Sequence, residues 1–141
     1  MTGTLARFLP IALIAVACGS AAASPGDATF TAAAYTTVMS EGGKLKVELR
    51  TTSDAPARGT LPLELRVTDP AGAPVDDLVL VVVPLMPAMG HGASVKPSVD
   101  AKGGGRYVLS NVTLFMPGRW EIRASFSGKT TDHATPTIDV Q

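Results

Sequence analysis

The chain has 141 residues and no net formal charge, with twelve lysines and arginines balancing twelve aspartates and glutamates. Those charges are scattered, so no basic stripe exists to displace counterions from nucleic acid, and with 5% aromatic residues there is no platform for stacking bases. Nucleic acid is therefore not expected as a partner. The length suits one domain with a short appendage, and fourteen glycines with eleven prolines suit many short strands joined by turns.

The chain opens with an export signal. After Arg7 comes the apolar run Phe8–Cys18, too short to span a hydrocarbon core of about 30 Å as a helix. A basic residue, an apolar stretch and small residues before a cleavage point are the parts of a secretory leader. Ala15-Val16-Ala17-Cys18 resembles a bacterial lipobox, which predicts residues 1–17 as a lipoprotein-type signal peptide and Cys18 as the lipidated mature N-terminus. The protein is then exported to the bacterial cell envelope and held on a membrane by its lipid. The alternative is ordinary cleavage near Ala21–Ala23 and free release. Cys18 is the only cysteine, so no disulfide forms within the chain. Residues 18–29 are almost all small and bury too little apolar surface to fold, which predicts a tether; the folded domain is expected over 30–141.

Inside that domain the dominant period is two. Leu45, Val47 and Leu49 share one face against Lys44, Lys46, Glu48 and Arg50; Leu61, Leu63, Leu65 and Val67 stand against Pro62, Glu64 and Arg66. Trp120, Ile122, Ala124 and Phe126 alternate with Glu121, Arg123 and Ser125, and Ile138 and Val140 close the chain. Such alternation marks strands with one face on a core and one in water. Leu78–Val83 has no alternation and reads as a central strand covered on both faces. Pro62 implies either an edge strand or a point where no partner needs its N–H. Turn residues at 69–74, 102–106, 116–119 and 127–129 separate the runs, and no helical stripe of useful length occurs. The fold class is all-β: an antiparallel immunoglobulin-like β-sandwich of about seven strands, preceded by the signal peptide.

Catalysis has no visible home, and the chain is expected not to be an enzyme. The Ser127–Thr130 fragment lacks the earlier glycine of a phosphate loop, having Arg123 there. Asp76 and Asp77 are adjacent on a segment expected to be extended, where they point opposite ways and cannot work as paired carboxylates. Soft donors are the exception. Met86, Met89 and His91 lie within six residues around Pro87 and Gly90, and Met116 ends another strand before Pro117 and Gly118. Thioethers select Cu(I) and imidazole serves copper in either oxidation state, whereas zinc wants thiolates, carboxylates or more histidines. His133 is a possible further ligand. The competing reading is a plug of methionines over one end of the core.

The stretches PVDDLVLVVVPLMPAMGHG and GGRYVLSNVTLFMPGRWEIRASF resemble the YtkA-like domain, a small exported module related to the FixH family. Met86, Pro87, Met89, His91, Gly105, Tyr107, Met116, Pro117, Gly118 and Trp120 carry the resemblance, over roughly residues 43–127. It implies an immunoglobulin-like sandwich, frequent lipidation and a copper-related setting, with a copper ion or a copper-handling protein as partner. FixH proteins normally carry a membrane helix, which is not found here. Trp120 is expected to fill the sandwich centre, Tyr107 to cap a corner through its hydroxyl, and Pro117-Gly118 to make the turn that aims Met116 and Trp120 inward.

Overall fold

The computed structural model describes residues 28–141; the expected signal peptide, Cys18 and the expected tether as far as residue 27 lie outside the described residues. Ten strands follow in order: β1 Thr36–Met39, β2 Lys46–Arg50, β3 Gly59–Thr68, β4 Leu78–Met86, β5 His91–Gly92, β6 Ser98–Gly103, β7 Arg106–Leu114, β8 Gly118–Gly128, β9 Asp132–Ala134 and β10 Thr137–Val140. They form two antiparallel sheets, one ordered β1-β2-β3-β7-β6 and the other β10-β8-β4-β5, with β9 also on β8. The all-β sandwich is the expected one. Its count exceeds seven because short pieces such as β5 and β9 have too few residues to show a period.

The alternating residues do what their period requires. Leu45, Val47, Leu49, Leu63, Leu65 and Val67 face Leu80, Val82, Trp120, Ile122, Phe126, Ile138 and Val140 across the core, all of them buried. Pro62 sits where the β3–β7 register slips between Leu61 and Leu63 and beyond the last β2–β3 pair, Arg50 with Glu64. β3 is thus interior, and the proline occupies the stretch where no β2 partner asks for its N–H.

Leu78–Val83 departs from expectation. β4 alternates in burial after all, with Val79, Val81 and Val83 exposed. β8 pairs along almost its whole length on one side, while on the other only Leu85 and Met86 pair, with β5. A run of valines conceals a two-faced strand because both faces carry the same residue. Glu64 departs in the opposite sense: it lies on the outer face of β3, yet is 1% exposed. Arg66 Nε donates to Oε1 at 3.0 Å, and Arg106 Nε and Nη2 donate to Oε2 at 2.9 and 2.7 Å.

Hydrogen bonds close one end of the sandwich. The buried Tyr107 hydroxyl donates to the Val75 carbonyl at 2.9 Å and accepts from Leu78 N–H at 3.3 Å, and burial raises its pKa. Asp76 accepts from Gly105 N–H at 2.8 Å. Asp77 is not extended but left-handed, with φ 61°, so the expectation of two adjacent carboxylates on an extended segment does not hold. Beside them the buried Asp132 carboxylate accepts from the Ser40 hydroxyl at 2.6 Å and from the N–H groups of Gly42, Lys44 and His133 at 2.8, 3.3 and 2.8 Å. The Ser40 bond, aided by those main-chain donors, holds its pKa far below the carboxylate range.

Candidate metal site at the open end of the sandwich

At the other end β4 runs out at Met86, and Pro87–Met89 make a single 3₁₀ turn. Pro87 suits its first position, where a missing N–H leaves nothing unpaired. Gly90 ends the turn in the left-handed region, φ 68°, and donates its N–H to the Met86 and Pro87 carbonyls at 3.1 and 3.2 Å. The chain then returns along its own path, pairing His91 with Met86 and Gly92 with Leu85. Directly paired residues share a face with their Cβ atoms about 4.5–5.5 Å apart, so the reversal stacks His91 beside Met86.

The second motif follows β7. Phe115 and Met116 lead through Pro117 into β8 at Gly118, and Trp120 Nε1 donates to the Met116 carbonyl at 3.0 Å. That bond satisfies the indole N–H of a residue otherwise buried in the core. Gly118 is where the two motifs touch: a Cβ there would lie 2.9 Å from Met86 Cε, on a backbone with φ 121°. The Met86 methyl occupies the space that glycine leaves.

A cleft of about 300 Å³ opens over this junction, walled by His91, Thr113, Phe115, Met116 and Trp120 among others. The four soft donors have different surroundings. Met86 is 5% exposed and belongs to the core. Met116 is half-buried against that core and lines the cleft, and His91 lines it from an exposed position. Met89 is 51% exposed on the 3₁₀ turn and does not wall the cleft. His133 is not brought here: its Nδ1 lies 3.1 Å from Ser125 Oγ, in a separate hollow with Glu41 and Arg123. Among the described residues no three histidine, cysteine or acidic side chains gather as a metal group; of the expected donors, the His91 imidazole and the Met116 thioether line the cleft.

The sequence reading passed over Phe115 and Thr113. Phe115 had a signal, an apolar residue one step past the last inward position of β7, Leu114, and it proves exposed on the cleft wall. Thr113 had none.

No curated protein and no solved structure matches the chain. A family model described as YtkA-like matches residues 39–125, a span from the end of β1 into β8 that takes in both Met-Pro motifs, Tyr107 and Trp120. With that model covering more than half of its length, the chain belongs to the YtkA-like family.

Proposed function

We propose that this protein is an exported, lipid-anchored YtkA-like module that binds copper as Cu(I) and passes it to or from a copper-handling partner, as a binding module rather than an enzyme. One observation carries the reading: two sequence motifs 25 or more residues apart meet at one cleft, with His91 beside Met86 by register and across from Met116. The donor set fits the ion. Thioether sulfur is soft, uncharged and carries no proton to lose, imidazole ligates as its neutral base, and neither is a thiol that an oxidising setting would tie up as a disulfide. His91 and Met116 are assigned as the principal ligands. Met86 supports them from the core, and Met89 on the adjacent turn is assigned a weaker, exchangeable donor.

The test is titration of the purified protein with Cu(I) against a competing chelator, in the wild type and in His91→Ala and Met116→Leu variants. Binding tighter than about micromolar, weakened about 100-fold by either change, is expected. Equal affinity in all three proteins, or none tighter than about micromolar, defeats the copper reading. The burial of Met86 favours the second reading, a module without metal whose methionines close the core, and that outcome would establish it. The mass of the mature N-terminus, wild type against Cys18→Ser, separately tests the anchor: an acylated Cys18 supports it, and an unmodified N-terminus near residue 22 replaces it with free release.

A further inference from the structure

The outer face of β2, β3 and β7 carries charge arranged differently from the rest of the molecule. Arg66 and Arg106 are direct cross-strand partners, a placement in which like charges repel. One carboxylate, Glu64, holds both. Arg66 uses only Nε on it and Arg106 uses Nε and Nη2, which leaves both terminal nitrogens of Arg66 and one of Arg106 without an acceptor among the described residues. The two side chains are 43% and 42% exposed.

Around them the positive charge is in excess. Arg50, the cross-strand partner of Glu64, donates to Glu48 Oε2 at 2.9 Å and to the carbonyls of Thr31 and Ala32. Lys46 approaches the same Glu48 at 3.7 Å. Lys46, Arg50, Arg66 and Arg106 thus share two carboxylates, Glu48 and Glu64, on a chain whose overall formal charge is zero. The entering segment around Phe30 folds over this face and, with Arg50, Glu64, Arg66 and Arg106, encloses a cleft of about 300 Å³. A guanidinium pair pinned by a buried carboxylate, with unused planar donors on the rim of a cleft, is pre-set for an oxyanion that bridges both.

We propose that this cleft binds a phosphate group through Arg66 and Arg106, held in place by Glu64. Arg106 opens β7 while the methionine cleft lies at and beyond the other end of that strand, and the site does not depend on the copper reading. The phosphate comes either from a free ion or from the headgroup of an anionic phospholipid, and the chemistry at the two arginines is the same.

The experiment follows the Nε–Hε resonances of the arginines in the labelled protein during titration with inorganic phosphate at constant ionic strength. Vesicles of phosphatidylglycerol and of phosphatidylcholine form the second arm. Saturable shifts of Arg66 and Arg106 with a Kd below about 10 mM, weakened about tenfold in Arg66→Gln, identify free phosphate as ligand. Binding to phosphatidylglycerol but not phosphatidylcholine vesicles, lost in Arg66→Gln but kept in the distant Arg119→Gln, identifies the lipid headgroup. The wild-type titration stands by itself if Arg66→Gln does not fold. The proposal is overturned if neither phosphate nor phosphatidylglycerol shifts these resonances beyond what chloride does, or if Arg119→Gln weakens binding as much as Arg66→Gln.

Discussion

The two ends of the sandwich are closed by different chemistry. At one, Tyr107 and Asp76 bond main-chain groups of neighbouring turns, and Asp132 bonds the Ser40 hydroxyl and three main-chain N–H groups. At the other, Met86, Met116 and Trp120 close the core with soft apolar groups, and the indole N–H bonds the Met116 carbonyl. A satisfied polar network fixes geometry and has nothing left to offer a ligand. Thioethers and an exposed imidazole close a core less specifically, but their lone pairs stay available. The difference separates a hydrogen-bonded end from one whose donor atoms are left unused within a single domain.

Substitutions can break that contrast in order of size. Gly105→Ala acts at the clasped end, where a Cβ would lie 2.3 Å from the Val67 carbonyl oxygen on a backbone with φ 71°. The same pair of residues exchanges a hydrogen bond from Val67 N–H to the Gly105 carbonyl at 2.7 Å. Left-handed strain and a displaced ladder bond together should cost about 4 kcal/mol, read as a fall in the urea midpoint. Met86→Ala acts at the open end and should cost about 3 kcal/mol by emptying space against Gly118. A loss below about 1 kcal/mol would mean that the methionine cluster is loosely packed and that Met86 belongs with the ligands rather than the core.

Asp132→Asn probes the clasp through pH. The folded-state pKa of Asp132 lies well below its unfolded value near 3.8, so its contribution is complete above about pH 4 and is lost as pH falls through that window. Replacing a carboxylate that accepts four bonds should cost about 2 kcal/mol at neutral pH. The gap between variant and wild-type melting curves should narrow as pH drops from about 4 toward 2; a gap that stays constant over that range would show that the charge of Asp132 contributes nothing.

How much of this was legible beforehand follows from the range of the interactions. The core faces of β2, β3, β8 and β10 were readable because period two is a local property and each strand has one polar face. β4 was not, since Val79, Val81 and Val83 face outward with the same chemistry as an inward set. Glu64 reads as a solvent-facing residue because its buried state depends on Arg106, 42 positions away. The Asp132 clasp depends on Ser40, 92 positions away. At the open end the residue types and the pairing of the two Met-Pro motifs were visible. What was not visible was the division of the donors, with Met86 in the core, Met116 and His91 on the cleft and Met89 outside it, because burial is set by the β4–β5 reversal and not by spacing.

That division yields the smallest expected effect and the sharpest use of it. His91 pairs with Met86 through its backbone while its side chain is exposed, and no side-chain hydrogen bond holds the ring among the described residues. Removing the ring should therefore leave the β4–β5 pairing intact, and His91→Ala should change the stability of the metal-free protein by no more than about 0.5 kcal/mol. With Cu(I) present, a ligand bound only to the native state adds stability by mass action, about 2.7 kcal/mol at a hundredfold excess over Kd, and the variant should lose most of it. The informative quantity is the difference between the two melts, metal-free and Cu(I)-loaded, for each protein. If His91→Ala destabilises the metal-free protein by more than about 1 kcal/mol, the imidazole has a structural duty and the open end resembles the clasped one more than its chemistry implies. If it is neutral without metal and the copper-dependent gain disappears, the two ends differ as their donors say.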